Sequence, residues 1–136
     1  MRIAARTVLI TAGVVGLIGS ALAADMTGAD LKAFISGKTV YIETTAASAT
    51  GTPGQGVIYW AADGTALYKT PTGAMWHGKW DTKANTLCAD WKERPNNPCT
   101  RWDKTGDAIT ILDSVSGQTR AKVVKTAPGN AEKLAP

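Results

Sequence analysis

With 136 residues the chain suggests one domain, with a real but small core. Fifteen Lys and Arg stand against eleven Asp and Glu, and the excess is scattered rather than clustered, which excludes an electrostatic nucleic-acid binder. One His and two Cys are too few for a structural zinc site, and no cofactor motif is present.

The first 23 residues read as a signal peptide. Arg2 and Arg6 form a basic start, Val8 to Ile18 is apolar, and Ala21-Leu22-Ala23 has the small-x-small pattern of a cleavage site. The apolar run is short for a membrane span, and an uncleaved anchor is the alternative. Removal of this segment takes away two arginines and lowers the net charge from +4 to +2. The expected location is the periplasm or the medium, with no membrane contact after cleavage. In that oxidising setting the two cysteines, Cys88 and Cys99, read as a disulfide.

Residues 24–126 are expected to form a single β-domain, and 127–136, rich in Pro, Gly and charge, a C-terminal tail. Thr27 is a good N-cap for a short helix whose Leu31, Phe34 and Ile35 make one apolar stripe. Gly37 suits the left-handed position at its end. Thr39 to Thr44 is β-rich. Thr45 to Gly56 lacks large side chains and reads as a mobile loop, or else as a flexible lid over a pocket. Val57 to Ala61 is apolar without alternation, the pattern of a strand covered on both faces. Asp63-Gly64 turns the chain into Thr65 to Lys69, which alternates.

In Ala74 to Trp80, a period of two puts Trp76, Gly78 and Trp80 on one face, assigned to the core, with room at Gly78 between the two indoles. Thr86 to Trp91 and Cys99 to Asp103 form a hairpin. If Cys88 pairs with Cys99, Leu87 falls opposite Thr100. Leu87, Ala89, Trp91, Thr100 and Trp102 then face inward, and the disulfide lies on the outer side. Ala108 to Leu112 sends Ile109 and Ile111 inward. In Gln118 to Lys125, Thr119, Ala121 and Val123 oppose Arg120 and Lys122. About eight short strands joined by tight turns predict an all-β antiparallel meander, closed or nearly closed into a small calycin-like barrel, with one short N-terminal helix. If open, its edges could pair into a dimer.

Taken together, the TGADLKAFISGKTVY segment, YWAADGTA, WHGKW, LCADW with a second Cys, and Pro128-Gly129-Asn130 resemble a group of small secreted proteobacterial proteins of unknown function. The resemblance spans almost the whole mature chain. It implies a small β-sheet or calycin-like barrel and a periplasmic location, and brings no activity with it. Gly78-Lys79-Trp80 also resembles the Gly-x-Trp of lipocalins and of small barrel inhibitors of secreted proteases. In lipocalins that motif lies in the first strand, whereas here it is mid-chain.

Three kinds of function are open to such a domain. The loop between Trp91 and Cys99 offers Lys92, Glu93, Arg94, Asn96 and Asn97, stiffened by two prolines and anchored by the disulfide, as a protein-binding loop. An envelope protein is the expected partner. Alternatively, Trp60, Trp76, Trp80, Trp91 and Trp102 line a pocket for a small apolar ligand, or simply form the core. Catalysis would need His77 beside Asp81 or Asp90, and no nucleophile motif accompanies it, so a non-enzymatic role is expected.

Overall fold

The computed structural model describes residues 22–136, so the predicted signal segment lies outside the described residues except for its last two positions. The chain forms a closed, eight-stranded antiparallel barrel with one additional strand and one short helix. The elements are β1 (Ala24–Asp25), α1 (Gly28–Ile35), β2 (Lys38–Thr44), β3 (Gly54–Trp60), β4 (Thr65–Lys69), β5 (Met75–Lys83), β6 (Thr86–Trp91), β7 (Thr100–Thr105), β8 (Ala108–Asp113) and β9 (Thr119–Pro128). Each barrel strand pairs with its neighbour in sequence, and β2 pairs with β9 to close the ring. Among the described residues, no helix is long and apolar enough to cross a membrane.

Helix α1 starts as its sequence dictates. The Thr27 side chain accepts from the Asp30 N–H at 3.1 Å, and Gly37 takes the left-handed position after the helix, with φ 71°. Its apolar stripe sends Leu31 and Ile35, both fully buried, into the core cluster, while Phe34 packs edge-on against Trp102. At its N-terminus, Gly28 passes so close to the β5–β6 turn that a Cβ would sit 2.2 Å from the Ala84 carbonyl oxygen, so no other residue fits. A two-turn helix is not stable alone, and this one is held by the barrel it packs on.

Side-chain alternation places Val40, Ile42, Ile58, Trp60, Ala66, Tyr68, Trp80, Leu87 and Ile111 inside. Val57 to Ala61 does alternate: Ile58 and Trp60 are buried, whereas Val57 and Tyr59 are only half-buried on the outer face. The unbroken apolar run arises because the outer face is partly covered too. The stretch predicted to be a tail lies against the neighbouring strand β2. Strand β9 runs on to Pro128, and the segment after it is fastened back onto the barrel. Thr39, fully buried, donates its hydroxyl to the Gly129 carbonyl at 2.6 Å and accepts from the Ala131 N–H at 2.9 Å. The Asn130 side chain bonds the Leu134 backbone twice, and Leu134 is buried. The Tyr41 hydroxyl donates to Glu132. The Thr39 and Tyr41 anchors belong to the outer face of β2, so residues 129–134 lie outside the barrel wall.

The stretch predicted to be a mobile loop also differs from expectation. Its last three residues, Gly54 to Gly56, belong to β3. Residues 45–52 form hydrogen-bonded turns, because small Thr and Ser side chains bond the backbone locally. Thr44 Oγ1 donates to the Thr52 and Gly54 carbonyls, and Thr45 Oγ1 to the Thr119 carbonyl across the barrel end.

Strand β9 carries two bulges. Ile111 pairs with Ala121 and Leu112 with Thr119, so Arg120 is an extra residue. Tyr41 pairs with Lys125 and Ile42 with Val123, so Val124 is another. The first bulge turns Arg120 into the barrel, where it is buried. Arg120 and Ala121, which alternation sets on opposite faces, are therefore both buried.

Candidate functional site

The hairpin clipped by Cys88 and Cys99 forms as expected. The disulfide is present, Leu87 pairs with Thr100, and these two residues make the only ladder rung between β6 and β7. Leu87, Ala89, Trp91 and Trp102 are buried, with the half-buried cysteines facing outward. Beyond that rung the two strands diverge into the 92–98 loop. On the other side, β1 takes the place beside β7, with Asp25 opposite Asp103 and the Met26 N–H donating to the Trp102 carbonyl at 2.8 Å.

Several contacts besides the disulfide fix the loop. The Lys92 N–H donates to the His77 carbonyl at 2.9 Å, and the Arg94 N–H to the Trp91 carbonyl at 3.2 Å. Asn96 adopts φ 61°, a left-handed conformation that Asn tolerates. Glu93 reaches back to β5 with both oxygens. Oε2 accepts from the His77 backbone N–H at 2.8 Å and Oε1 meets His77 Nδ1 at 2.9 Å. Both side chains are about one third exposed. Desolvation of the Glu93 carboxyl pushes its pKa up, but the hydrogen bonds from the His77 ring and backbone outweigh it, and the net direction is down.

At the other end of the loop, Asn97 turns inward. Its Oδ1 accepts from Arg120 Nη1 at 3.0 Å, and Asp113 Oδ2 accepts from Arg120 Nε and Nη2 at 3.1 and 2.8 Å. The Asp113 pKa is held below the usual carboxylate value, first by the backbone N–H of Ser116. Burial opposes this, and the Val115 N–H and Arg120 reinforce it. Nothing in the alternation of β9 signals this anchor, since only the bulge brings Arg120 within reach.

The proposed binding residues therefore divide. Lys92, Arg94 and Asn96 are exposed, and among the described residues no side chain pairs with them. Glu93 and Asn97 serve as internal anchors. Beside the loop, a groove of about 400 Å³ crosses the outer face of β4, β5 and β6. Leu67 forms part of its floor, Pro136 one end, and His77, Lys79, Asp90 and Lys92 contribute polar walls. Of the two carboxylates expected beside His77, Asp90 lines the same groove. Asp81 lies elsewhere, 3.5 Å from Lys32 Nζ. The orienting partner, Glu93, was hidden because it comes from a loop sixteen residues away.

The five tryptophans form one cluster. Trp60 is central, with ring centroids 5.8, 6.1 and 6.5 Å from Trp80, Trp91 and Trp102. Trp76 is half-buried at the margin, edge-on to Tyr68. Gly78 admits a third indole rather than separating Trp76 from Trp80. A Cβ there would lie 2.9 Å from the Trp91 ring and 2.3 Å from the Asp90 carbonyl. The indoles fill most of the barrel, leaving a cavity of about 70 Å³. Pockets for drug-sized ligands enclose roughly 300–1,000 Å³. Tyr68 borders the cavity. Burial pushes its pKa up to about 12, partly offset by the Thr50 hydroxyl, so its hydroxyl is neutral.

Among the described residues, no group of three or more His, Cys, Asp and Glu is placed to hold a metal ion. No family model, no curated protein and no solved structure matches the chain.

Proposed function

We propose that this chain is an exported, non-enzymatic binding module that holds an envelope protein through the 92–98 loop. One observation carries the reading. The loop is fixed by the disulfide, by Glu93 on His77 and by Asn97 on Arg120, while the side chains of Lys92, Arg94 and Asn96 project without a partner among the described residues. A loop already ordered loses little conformational entropy on association, so contacts made by its free side chains go into affinity. The adjoining groove extends the same surface with Lys79 and an apolar floor at Leu67. His77 and Glu93 act here by fixing each other and the loop, and no nucleophile is needed for that role. Export is supported by the disulfide, a bond that persists in oxidising compartments, and by the signal-like first 23 residues.

The test is in-cell cross-linking of the natural chain and of a Lys92→Ala, Arg94→Ala, Asn96→Ala variant. A discrete partner adduct in the parent that disappears in the variant, at unchanged melting temperature, is the expected result. Equal adduct formation by both chains would overturn the assignment of the surface.

A further inference from the structure

Strand β1 covers the edge of β7 that β6 leaves free, and little holds it there. Ala24 lies opposite Lys104 and Asp25 opposite Asp103, and the Met26 N–H donates to the Trp102 carbonyl at 2.8 Å. That bond makes Met26 and Trp102 a hydrogen-bonded pair. Asp25 and Asp103 therefore occupy the adjoining non-hydrogen-bonded position, where opposed side chains come closest. Two carboxylates so placed repel each other, in a ladder with few bonds to resist them.

The surroundings do not suit two negative charges. Asp103 is half-buried, and its Oδ1 is fully buried with no donor among the described residues. An ionised oxygen in that position is costly. Arg101, two residues along the same face, pairs with the other carboxylate: its Nη1 lies 3.3 Å from Asp25 Oδ2. The proton that two touching acceptors need then sits on Asp103, whose O–H donates to Asp25. The Asp103 pKa is raised accordingly, most by the hydrogen bond with Asp25, then by burial and the Asp25 charge, with Arg101 opposing. On its other side Asp103 faces the uncharged Thr110 of β8, beyond which lies the exposed Lys122 of β9. Lys104 alternates to the opposite face. Cleavage after Ala23 would add the α-ammonium of Ala24, a cation acting in the same sense as Arg101.

We propose that Asp25 and Asp103 form a proton-dependent clasp that fastens β1 to β7 in acid and loosens as pH rises and the shared proton leaves for solvent. Because the folded pKa of Asp103 is raised, its contribution is fully present below the unfolded value of about 3.9 and is lost as pH rises through the folded value. Loosening uncovers the backbone of β7 from Trp102 to Lys104, an unpaired strand edge. The clasp lies at the end of β7 remote from the 92–98 loop and stands independently of the role proposed for that loop.

The test compares the exported, oxidised natural protein with Asp103→Asn and Asp25→Asn, all labelled with ¹³C and ¹⁵N. The Asp103 carboxyl carbon is assigned through backbone connectivities and titrated. Its midpoint is expected above about 3.9 in the natural protein and lower in Asp25→Asn. Hydrogen exchange of the Met26 amide reports β1 docking. At each pH it is read as the rate in the natural protein over that in Asp103→Asn, so that the intrinsic pH dependence cancels. The ratio should be near one in acid and rise up to about fivefold above the midpoint, the size of one cross-strand pair effect. The same ratio at Ile111, in the β8–β9 ladder, should stay flat. A midpoint at or below about 3.9 would overturn the clasp. So would a midpoint unmoved in Asp25→Asn, a Met26 ratio flat with pH, or an Ile111 ratio that rises with it. The carbon titration needs only the natural protein, so it decides even if a substitution prevents folding.

Discussion

Replacing Arg120 by Ala tests the account of the barrel end most directly. The guanidinium makes two hydrogen bonds to Asp113 Oδ2 and one to Asn97, and both members of the ion pair have side chains less than 15% exposed. Removing one partner of a buried pair costs about 3–5 kcal/mol, mostly as the penalty of the charge left behind. Asp113 keeps the N–H groups of Val115 and Ser116, at 2.8 and 2.9 Å, so the lower end, about 3 kcal/mol, applies. For a domain of this size that corresponds to a fall in melting temperature of roughly 12 °C. The assay is urea unfolding followed by tryptophan fluorescence, for the natural chain, Arg120→Ala, Asp113→Asn and the double variant. The double variant should lose clearly less than the two single losses combined, because the pair shares one interaction. The sign with pH follows from Asp113. Its folded pKa is depressed, so its contribution is fully present above the unfolded value of about 3.9 and is lost as pH falls through the folded value. The gap between the natural chain and Asp113→Asn should therefore be constant from neutral pH down to about 4 and close below it. A loss under 1 kcal/mol for Arg120→Ala, strict additivity, or a gap that does not close in acid would refute the reasoning.

Two further outcomes follow from the same structure. Replacing both Cys88 and Cys99 by Ala should lower stability by roughly 3 kcal/mol in the chain-entropy account of a short closed loop, with far-ultraviolet circular dichroism little changed; an unshifted denaturation midpoint would count against it. Thr39→Val should cost about 1–2 kcal/mol by orphaning the Gly129 carbonyl and the Ala131 N–H, and should speed hydrogen exchange in residues 129–134 while leaving β5 and β6 protected. Uniform exchange across the barrel would mean the segment is not an independent strap.

The barrel was legible in the sequence wherever side chains alternate cleanly. Ala66 and Tyr68, Trp76 and Trp80, Leu87, Ala89 and Trp91, and Ile109 and Ile111 all face the way a period of two dictates. The register of the clipped hairpin followed from the cysteines alone, because a disulfide fixes which residues are opposite. What alternation could not carry was anything that breaks it. The bulge at Arg120 reverses the phase of β9, and only the ladder to β8 reveals it. Likewise, Ala, Gly and Pro in residues 127–136 look like a tail because their anchoring donor and acceptor, the Thr39 hydroxyl, lies some ninety residues away. The loop supplied the right residues and hid their division of labour. Glu93 and Asn97 read as surface polar groups until His77 and Arg120 stand next to them.

The single rung between β6 and β7 has a consequence for when this protein can mature. At that junction a covalent bond stands where most neighbouring strands have a ladder of three to seven rungs. Barrel closure and thiol oxidation are therefore thermodynamically linked, each favouring the other by the same factor. If the bond stabilises the fold by roughly 3 kcal/mol, the fold in turn protects the bond against reduction by on the order of a hundredfold. A reduced chain would have two loosely joined edges at this seam. Oxidation would then act as a latch on the finished barrel.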